Sequence, residues 1–171
     1  MELLLVRHAI AARTSSRGES ADARRPLTAE GRRRMVRGAR GLAALVAELD
    51  GVFPSPLVRA VETARIVADA YGLTPEEGLP ALAPDRPPQE VIAWLCARRR
   101  DGTVALVGHE PHLSRLAALL VAGDPEPLFT FRKGGACLLT LDGTPRPGGA
   151  RLRWLATAKV LRLLGAREAK G

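Results

Sequence analysis

The amino-acid sequence predicts an α/β fold, a three-layer α/β/α sandwich in which a mostly parallel sheet carries helices on both faces. Short apolar runs typical of buried strands alternate with longer segments whose apolar residues recur at helical spacing. Glycine and proline clusters fall between these segments and mark turns. We expect the 171 residues to form one domain, spanning residues 1–171.

The first half of the chain gives two strand-to-helix units. Residues 2–6 are predicted as a buried strand, followed by a polar loop to Pro26 through which substrate could enter. Thr28 can cap a helix, because its hydroxyl precedes apolar residues at helical spacing. Val52-Phe53 is a short strand that ends at a proline, and a helix follows it over 57–70.

The second half continues the alternation. Thr103–Val107 is the clearest buried strand, and it ends at Gly108-His109 before a helix that starts at Pro111. The other predicted elements are a weak strand over 79–82, a helix around 91–95, two paired strands over 136–141 and 151–155, and a helix over 158–164.

The net charge of +8 and a pI near 10.9 raise the question of nucleic-acid binding. Against it, the chain has 23 arginines to 3 lysines, which is typical of a codon bias, and only six aromatic residues, too few for a base-stacking platform. We therefore expect no nucleic-acid partner. The positive potential could still steer an anionic or acidic partner.

Cysteine usage and hydropathy bear on cellular location. Cys96 and Cys137 have neither the spacing of a disulfide framework nor a histidine cluster for zinc. The apolar run at 1–6 is too short for a signal-peptide core, and no run approaches the length of a membrane span. We expect a cytoplasmic protein that uses no membrane, metal or cofactor.

Two of the three histidines directly follow predicted strands. His8 ends the first strand and His109 ends the strand over 103–107, so both should project from the same edge of the sheet. Arg7 precedes His8, and Arg59 follows the short strand at 52–53. Guanidinium groups bind phosphate oxygens in bidentate fashion and keep their charge, so these four residues predict a phosphate site.

The residue types found and missing in the rest of the sequence indicate the chemistry of this predicted phosphate site. The sequence has no acidic cage for magnesium and no Walker-type glycine loop. Protein cations must then stabilise the phosphoryl group, and a neutral imidazole can attack phosphorus to form a covalent phosphohistidine.

At this point the sequence resembles the histidine phosphatase superfamily, which has the phosphoglycerate mutase-like fold. The family signature is Arg-His-Gly after the first strand, and here it reads Arg7-His8-Ala9. Three further motifs follow in order, Arg25-Pro26-Leu27-Thr28-Ala29-Glu30-Gly31, Ser55-Pro56-Leu57-Val58-Arg59-Ala60-Val61-Glu62-Thr63-Ala64 and Val107-Gly108-His109-Glu110-Pro111.

The resemblance implies a role for each matching residue. It implies that His8 is the phosphorylated nucleophile and that Arg7, Arg59 and His109 bind the transferring phosphoryl group. Thr14 falls where many relatives place a polar side chain that contacts phosphate. Thr28 and Thr63 are interpreted as structural, and Asp22 and Glu30 as residues that orient the basic loop or are solvated. His112 is given a surface or supporting role, and Trp94 and Trp154 packing roles.

Two departures from the family pattern bear on the substrate. Ala9 replaces the family glycine, at a cost of about 1 kcal/mol if that position needs a positive φ. Family members that act on phosphate esters carry a glutamate that protonates the leaving group, whereas the comparable stretch here is Leu82-Ala83-Pro84-Asp85-Arg86. Without that acid, ester hydrolysis loses a factor of about 10² to 10⁴.

A phosphohistidine substrate depends less on such an acid, because an imidazole can depart already protonated. The missing acid and the short chain therefore resemble the small SixA-like phosphohistidine phosphatases. That resemblance implies a histidine-phosphorylated signalling or phosphocarrier protein as partner, and we expect a monomer.

Three alternatives stay open. Asp85 or Glu110 could supply the proton, which would suit a small-molecule phosphomonoesterase. Ala9 and the missing acid could instead indicate a phosphate-binding module without catalysis. A nucleic-acid binder is the remaining alternative.

Overall fold

The structure is a computed structural model that describes residues 1–13, 19–98 and 102–168. Within these ranges the chain alternates strands and helices as the sequence predicts, except that residues 19–23, expected in the polar loop, form a short helix. The elements are β1 (Glu2–Arg7), α1 (Glu19–Ala23), α2 (Ala29–Leu45), β2 (Gly51–Pro54), α3 (Val58–Asp69), α4 (Gln89–Arg98), β3 (Thr103–Gly108), α5 (His112–Ala122), β4 (Ala136–Leu141), β5 (Ala150–Ala156) and α6 (Ala158–Glu168).

The strands form a single sheet in the order β2-β3-β1-β4-β5. β3 pairs in parallel with both β1 and β2, whereas β4 runs antiparallel to β1 and to β5. The described sheet is therefore mixed, with β4 opposed to the other four strands. The short connection between β4 and β5 accounts for the antiparallel pairing of these two strands, because parallel neighbours would need a long crossover.

The sheet separates two apolar layers. Leu3 and Leu5 of β1 face the layer formed with α4 and α5, whereas Leu4 and Val6 face the layer formed with α2, α3 and α6. This division follows from the strand period of two, which sends successive side chains to opposite faces. The three-layer α/β/α prediction is confirmed.

One predicted strand is wrong. The weak strand expected over 79–82 is a 3-10 turn, Pro80–Leu82. Pro80 has no N–H to donate to a neighbouring strand, and the Leu82 amide donates back to the Leu79 carbonyl at 3.0 Å. The Leu79 amide still donates to Pro54, which ties this turn to the end of β2.

Two helices pack closely through glycines. A Cβ at Gly41 of α2 would lie 1.9 Å from the carbonyl oxygen of Leu161, and one at Gly165 of α6 would lie 2.1 Å from that of Arg37. Both positions therefore need glycine, and α2 and α6 are held backbone to backbone. No helix in the described part of the chain is long and apolar enough to span a membrane.

Candidate active site

The two histidines predicted to share a sheet edge lie side by side. In the parallel register Arg7 of β1 pairs with Gly108 of β3, so His8 and His109 follow at the same level. Their ring centroids are 5.1 Å apart, and both side chains are buried. The main-chain amide of His8 also donates to the Gly108 carbonyl at 3.0 Å.

The imidazole of His8 is held in one tautomer. Its Nδ1 lies 2.7 Å from the Ala9 carbonyl oxygen, which can only accept, so Nδ1 carries the proton and Nε2 keeps its lone pair. Burial lowers the pKa of His8 to about 3, together with the charges of Arg59 and Arg7 and against the opposing effect of the Ala9 hydrogen bond. The ring is therefore neutral at physiological pH, as a nucleophile requires.

His109 is held from the opposite side. Its Nε2 lies 2.8 Å from the Ser55 hydroxyl, and its Nδ1 is buried with no partner in the described chain. The Ser55 oxygen already accepts from the Leu57 amide, at 3.4 Å. The tautomer in which the hydroxyl donates to Nε2 places the ring proton of neutral His109 on Nδ1, the nitrogen that has no protein partner in the described residues. Burial lowers the pKa of His109 to about 2, with His8 and Arg59 adding to the effect.

The guanidinium groups of Arg7 and Arg59 are the other two members of the predicted phosphate site. Arg7 donates through Nη1 to the Phe131 carbonyl, and Arg59 donates to Asp22 twice, to its carbonyl at 2.7 Å and its carboxylate at 2.9 Å. The Nε atoms of both arginines are buried and have no protein partner in the described ranges. Burial lowers the pKa of both from an ordinary value far above neutrality, and both guanidinium groups act electrostatically on His8 and His109.

The Thr63 hydroxyl links the backbone of Ala9 to the backbone of Arg59. Its hydroxyl accepts from the Ala9 amide at 3.1 Å and donates to the Arg59 carbonyl at 2.6 Å, which fixes the residue after His8 against α3. Both main-chain groups of Ala9 are therefore bonded, and its side chain is buried. Thr28 caps α2 by accepting from the Gly31 amide at 2.9 Å. Each threonine makes the structural contact expected of it.

The two carboxylates considered as proton donors lie in different surroundings. Both oxygens of Glu110 are bonded, Oε1 by the Phe131 amide at 2.8 Å and Oε2 by the Ser114 hydroxyl at 2.6 Å. Asp85 is exposed and lines a cavity beside His112. Thr14 lies outside the described residues.

Some contacts were not foreseen from the sequence. The motif that contains Ser55 indicates no contact between its hydroxyl and His109. The sequence also gives no sign that the charge of Lys133 acts on His8. Asp22 does orient a basic group, since it bonds Arg59 and pairs with Arg25. The surface placement of His112 is wrong, because the residue is buried, with 2% of its surface exposed.

A metal site was not expected, and the described ranges contain no group of three or more His, Cys, Asp or Glu side chains placed to hold an ion. The residues of the predicted phosphate site are instead two arginines and two neutral imidazoles, and the charges of both arginines act on both histidines. This arrangement can bind a tetrahedral anion and present a nucleophilic nitrogen to it.

Comparison with known proteins gives the same family as the motifs. Residues 3–83 match the histidine phosphatase superfamily (branch 1). The chain is 32% identical to the phosphohistidine phosphatase SixA of Escherichia coli over 157 residues, 90% of this chain and 92% of that protein. A solved structure of the protein histidine phosphatase SixA complexed with tungstate superposes with a TM-score of 0.79 at 30% identity, covering 94% of this chain and 99% of that one.

A more distant neighbour shares the fold. The structure of a putative alpha-ribazole-5'-P phosphatase from E. coli has a TM-score of 0.68 at 22% identity, over 92% of this chain and 98% of that chain. With the SixA likeness extending over nearly its full length, the chain belongs to the histidine phosphatase superfamily as a SixA-like member.

Proposed function

We propose that this phosphatase removes the phosphoryl group from phosphohistidine on a partner protein, through a covalent intermediate on His8. The observation that carries the proposal is the tautomer of His8, whose Nδ1–H donates a hydrogen bond to the Ala9 carbonyl oxygen, so that Nε2 keeps its lone pair. The charges of Arg7 and Arg59 act on both His8 and His109, whose ring centroids are 5.1 Å apart, and this supports the proposal. The likeness to SixA and the tungstate held by a solved SixA support an oxyanion site here.

In the first step His8 Nε2 attacks phosphorus as the P–N bond to the substrate imidazole breaks. The guanidinium groups of Arg7 and Arg59 and the Nδ1 proton of His109 stabilise the charge on the equatorial oxygens. The second ring nitrogen of the substrate imidazole takes up one proton from solvent before the P–N bond breaks, so the imidazole departs neutral, and the proton released to solvent in the second step restores the balance. The product is dephosphorylated substrate and phosphorylated His8.

In the second step water attacks the phosphorus of phosphorylated His8. The P–N bond to Nε2 breaks, inorganic phosphate leaves, and the water proton is passed to solvent or phosphate. His8 returns to its starting tautomer because Nδ1 has kept its bond to Ala9 throughout.

The surroundings of the two carboxylates favour a phosphoramidate over an ester. Both oxygens of Glu110 are occupied by structural donors, and Asp85 is exposed beside His112. An alkoxide leaving group needs an acid within hydrogen-bond reach, whereas a protonated imidazole does not. The site therefore suits phosphohistidine best.

The direct test is to trap the intermediate. Rapid quenching of the enzyme with a histidine-phosphorylated carrier protein should give an acid-labile, base-stable phosphoenzyme, and His8→Asn should give none. Phosphate release by His8→Asn at the parent rate would exclude His8 as the nucleophile. A parent enzyme that binds phosphate but never becomes labelled would be the non-catalytic binding module.

A second test separates the two substrate classes. Sugar phosphates and phosphohistidine are compared with the parent and with Glu110→Gln and Asp85→Asn. Faster hydrolysis of sugar phosphates, lost in either variant, would establish the phosphomonoesterase instead.

The remaining parts of the proposal concern the setting of the reaction. We propose a monomeric, cytoplasmic enzyme that needs no metal ion and acts on a histidine-phosphorylated signalling or phosphocarrier protein. Activity that survives exhaustive treatment with a chelator is the expected result for metal independence.

A further inference from the structure

A basic groove begins directly beside the nucleophile. Its floor is formed by small and apolar residues that include Ala9 and Met35, and its volume is about 220 Å³. All the charged side chains that line it are cations, namely Arg34 of α2, Arg132 and Lys133 of the loop before β4, and Lys159 and Arg162 of α6.

The basic groove lies close to the predicted phosphate site. Ala9 follows His8 and lines the groove, and the amide of Gly134 donates to the carbonyls of Arg7 and His8 at 3.1 and 3.2 Å. The charge of Lys133 acts on His8, and that of Arg132 acts on Arg7. A ligand in the groove would therefore lie next to whatever occupies the site at His8.

The positive charge of the groove extends outward along α2. An adjoining hollow is lined by Arg33, Arg34, Arg37 and Arg162, and its one carboxylate is Glu30, which pairs with Arg34. This contrasts with the cavity beside His112, which is lined by three carboxylates, Asp85, Asp124 and Glu126, together with two arginines. The cations are thus concentrated in the basic groove and the adjoining hollow, whereas the cavity beside His112 has a mixed lining.

The walls of the groove are held rigidly. α2 and α6 meet through Gly41 and Gly165, where a Cβ would overlap the opposite backbone. Gly134, with a φ of +73°, fixes the loop that carries Arg132 and Lys133. The cations therefore project from a preformed frame, which limits the ordering cost of binding.

We propose that the basic groove docks an acidic segment of the phosphohistidine-bearing protein while its phosphohistidine occupies the site at His8, an inference that rests on the proposed function. Exposed cations on three separate elements suit several carboxylates along a segment better than one small anion. Each exposed pair contributes little, but a set of pairs speeds encounter and orients the partner.

The experiment uses peptide probes with one phosphohistidine flanked on one side by a run of glutamates or, in the matched probe, glutamines. Lys159→Glu with Arg162→Glu reverses two groove charges. Arg65→Glu with Arg153→Glu is the control, because these exposed arginines of α3 and β5 lie outside the groove. The ratio of kcat/KM for the acidic and neutral probes is measured at low and high salt.

The parent enzyme is expected to favour the acidic probe about tenfold at low salt, through KM, with the preference lost at high salt. The groove variant should lose the preference while its kcat on free phosphohistidine is unchanged, and the control variant should keep it. Equal use of both probes by the parent, or an equal loss in the control variant, overturns the proposal.

Direct binding separates failure of this inference from failure of the proposed function. Fluorescence anisotropy with the unphosphorylated glutamate peptide should show binding to the parent and the control variant and loss in the groove variant, even if no phosphohistidine is hydrolysed. Docking of an acidic protein segment is overturned if the glutamate peptide does not bind the parent. It is also overturned if a random DNA duplex binds the parent more strongly than the peptide does and the groove variant abolishes that DNA binding.

Discussion

At the scale of single residues, Arg59 is shared between the phosphate site and Asp22. The Asp22 carboxylate accepts from Nη2 at 2.9 Å and is 46% exposed, whereas the guanidinium is 5% exposed. A negative group already bonded to Arg59 competes with an incoming phosphoryl group for the same charge. If Arg59 binds phosphate as proposed, we expect Asp22 to lower phosphate affinity while it holds Arg59 in place.

Asp22→Asn should consequently bind phosphate more tightly. The amide keeps an oxygen that can accept from Arg59 but removes the negative charge, so we expect the inhibition constant for inorganic phosphate to fall about three- to tenfold. Competition against phosphohistidine hydrolysis measures it. Asp142→Asn, which removes the carboxylate paired with Arg151 on the surface, should leave this constant unchanged. Weaker phosphate binding by Asp22→Asn would show that the carboxylate acts mainly to orient Arg59.

Ser55 acts through His109. Its hydroxyl lies 2.8 Å from Nε2, and in the tautomer inferred above this bond places the ring proton on Nδ1, where the phosphoryl oxygen would accept it. Loss of the bond should cost about 1.4 kcal/mol of transition-state stabilisation, so Ser55→Ala should lower kcat roughly tenfold with little change in KM.

A double-mutant cycle tests this positioning role. If Ser55 acts by orienting His109, removing its hydroxyl in a His109→Ala background should cost nothing further. The same tenfold loss in both backgrounds would show that Ser55 contributes independently of His109.

The site residues could be foreseen to different degrees. His8 and His109 were found because a residue that directly follows a buried strand lies at the carboxyl edge of the sheet. Ser55 and Asp22 could not be assigned their partners, because those contacts join residues 54 and 37 positions apart. Such contacts depend on how β2, β3, α1 and α3 pack, which no local pattern encodes.

At the scale of elements, α2 carries glycines with opposite requirements. A Cβ at Gly41 would lie 1.9 Å from the Leu161 carbonyl oxygen, whereas a Cβ at Gly38, one turn earlier, would meet nothing within 4 Å. The first glycine is required by the packing of α2 on α6, and the second is not. Alanine substitutions at these two positions therefore form a matched pair.

Gly41→Ala should destabilise the protein by about 1 to 3 kcal/mol, because backbone rather than a flexible side chain must move. Gly38→Ala should stabilise it by up to about 1 kcal/mol, since alanine favours the helix and restricts the unfolded chain. Urea unfolding of both variants at equal temperature measures the two free energies. Equal effects of the two substitutions would contradict the close α2–α6 contact.

The elements themselves were largely predictable. Apolar periodicity located α2 and β3, and the β4–β5 pair was recognised from alternation on either side of a glycine-rich loop. The turn at Pro80–Leu82 was missed because a short apolar run does not distinguish a strand from a single helical turn. The position of β4 beside β1 was not predictable, because strand order depends on contacts between distant elements.

At the scale of the whole molecule, burial of histidine links stability to pH. The chain has three histidines, and burial lowers the pKa of His8, His109 and His112 below the ordinary value of 6.5. Below pH 6.5 the unfolded chain takes up protons on these residues and the folded chain does not. The unfolded state then binds more protons, so the free energy of unfolding falls as pH falls.

The predicted slope is about 1.4 kcal/mol per pH unit for each of His8 and His109, from near pH 6 down to about pH 4, and His112 adds to it in the same direction. Asp22 acts in the same direction at lower pH, because desolvation, which raises its pKa, is outweighed by Arg59 and Arg25, which lower it. Urea unfolding across this range should show the loss, and His112→Gln should reduce the slope by up to one histidine's share while leaving His8 and His109 in place. An unchanged slope in His112→Gln would mean that His112 is protonated in the folded protein. Because His8 stays neutral to about pH 3, acid should unfold this enzyme before it protonates the nucleophile.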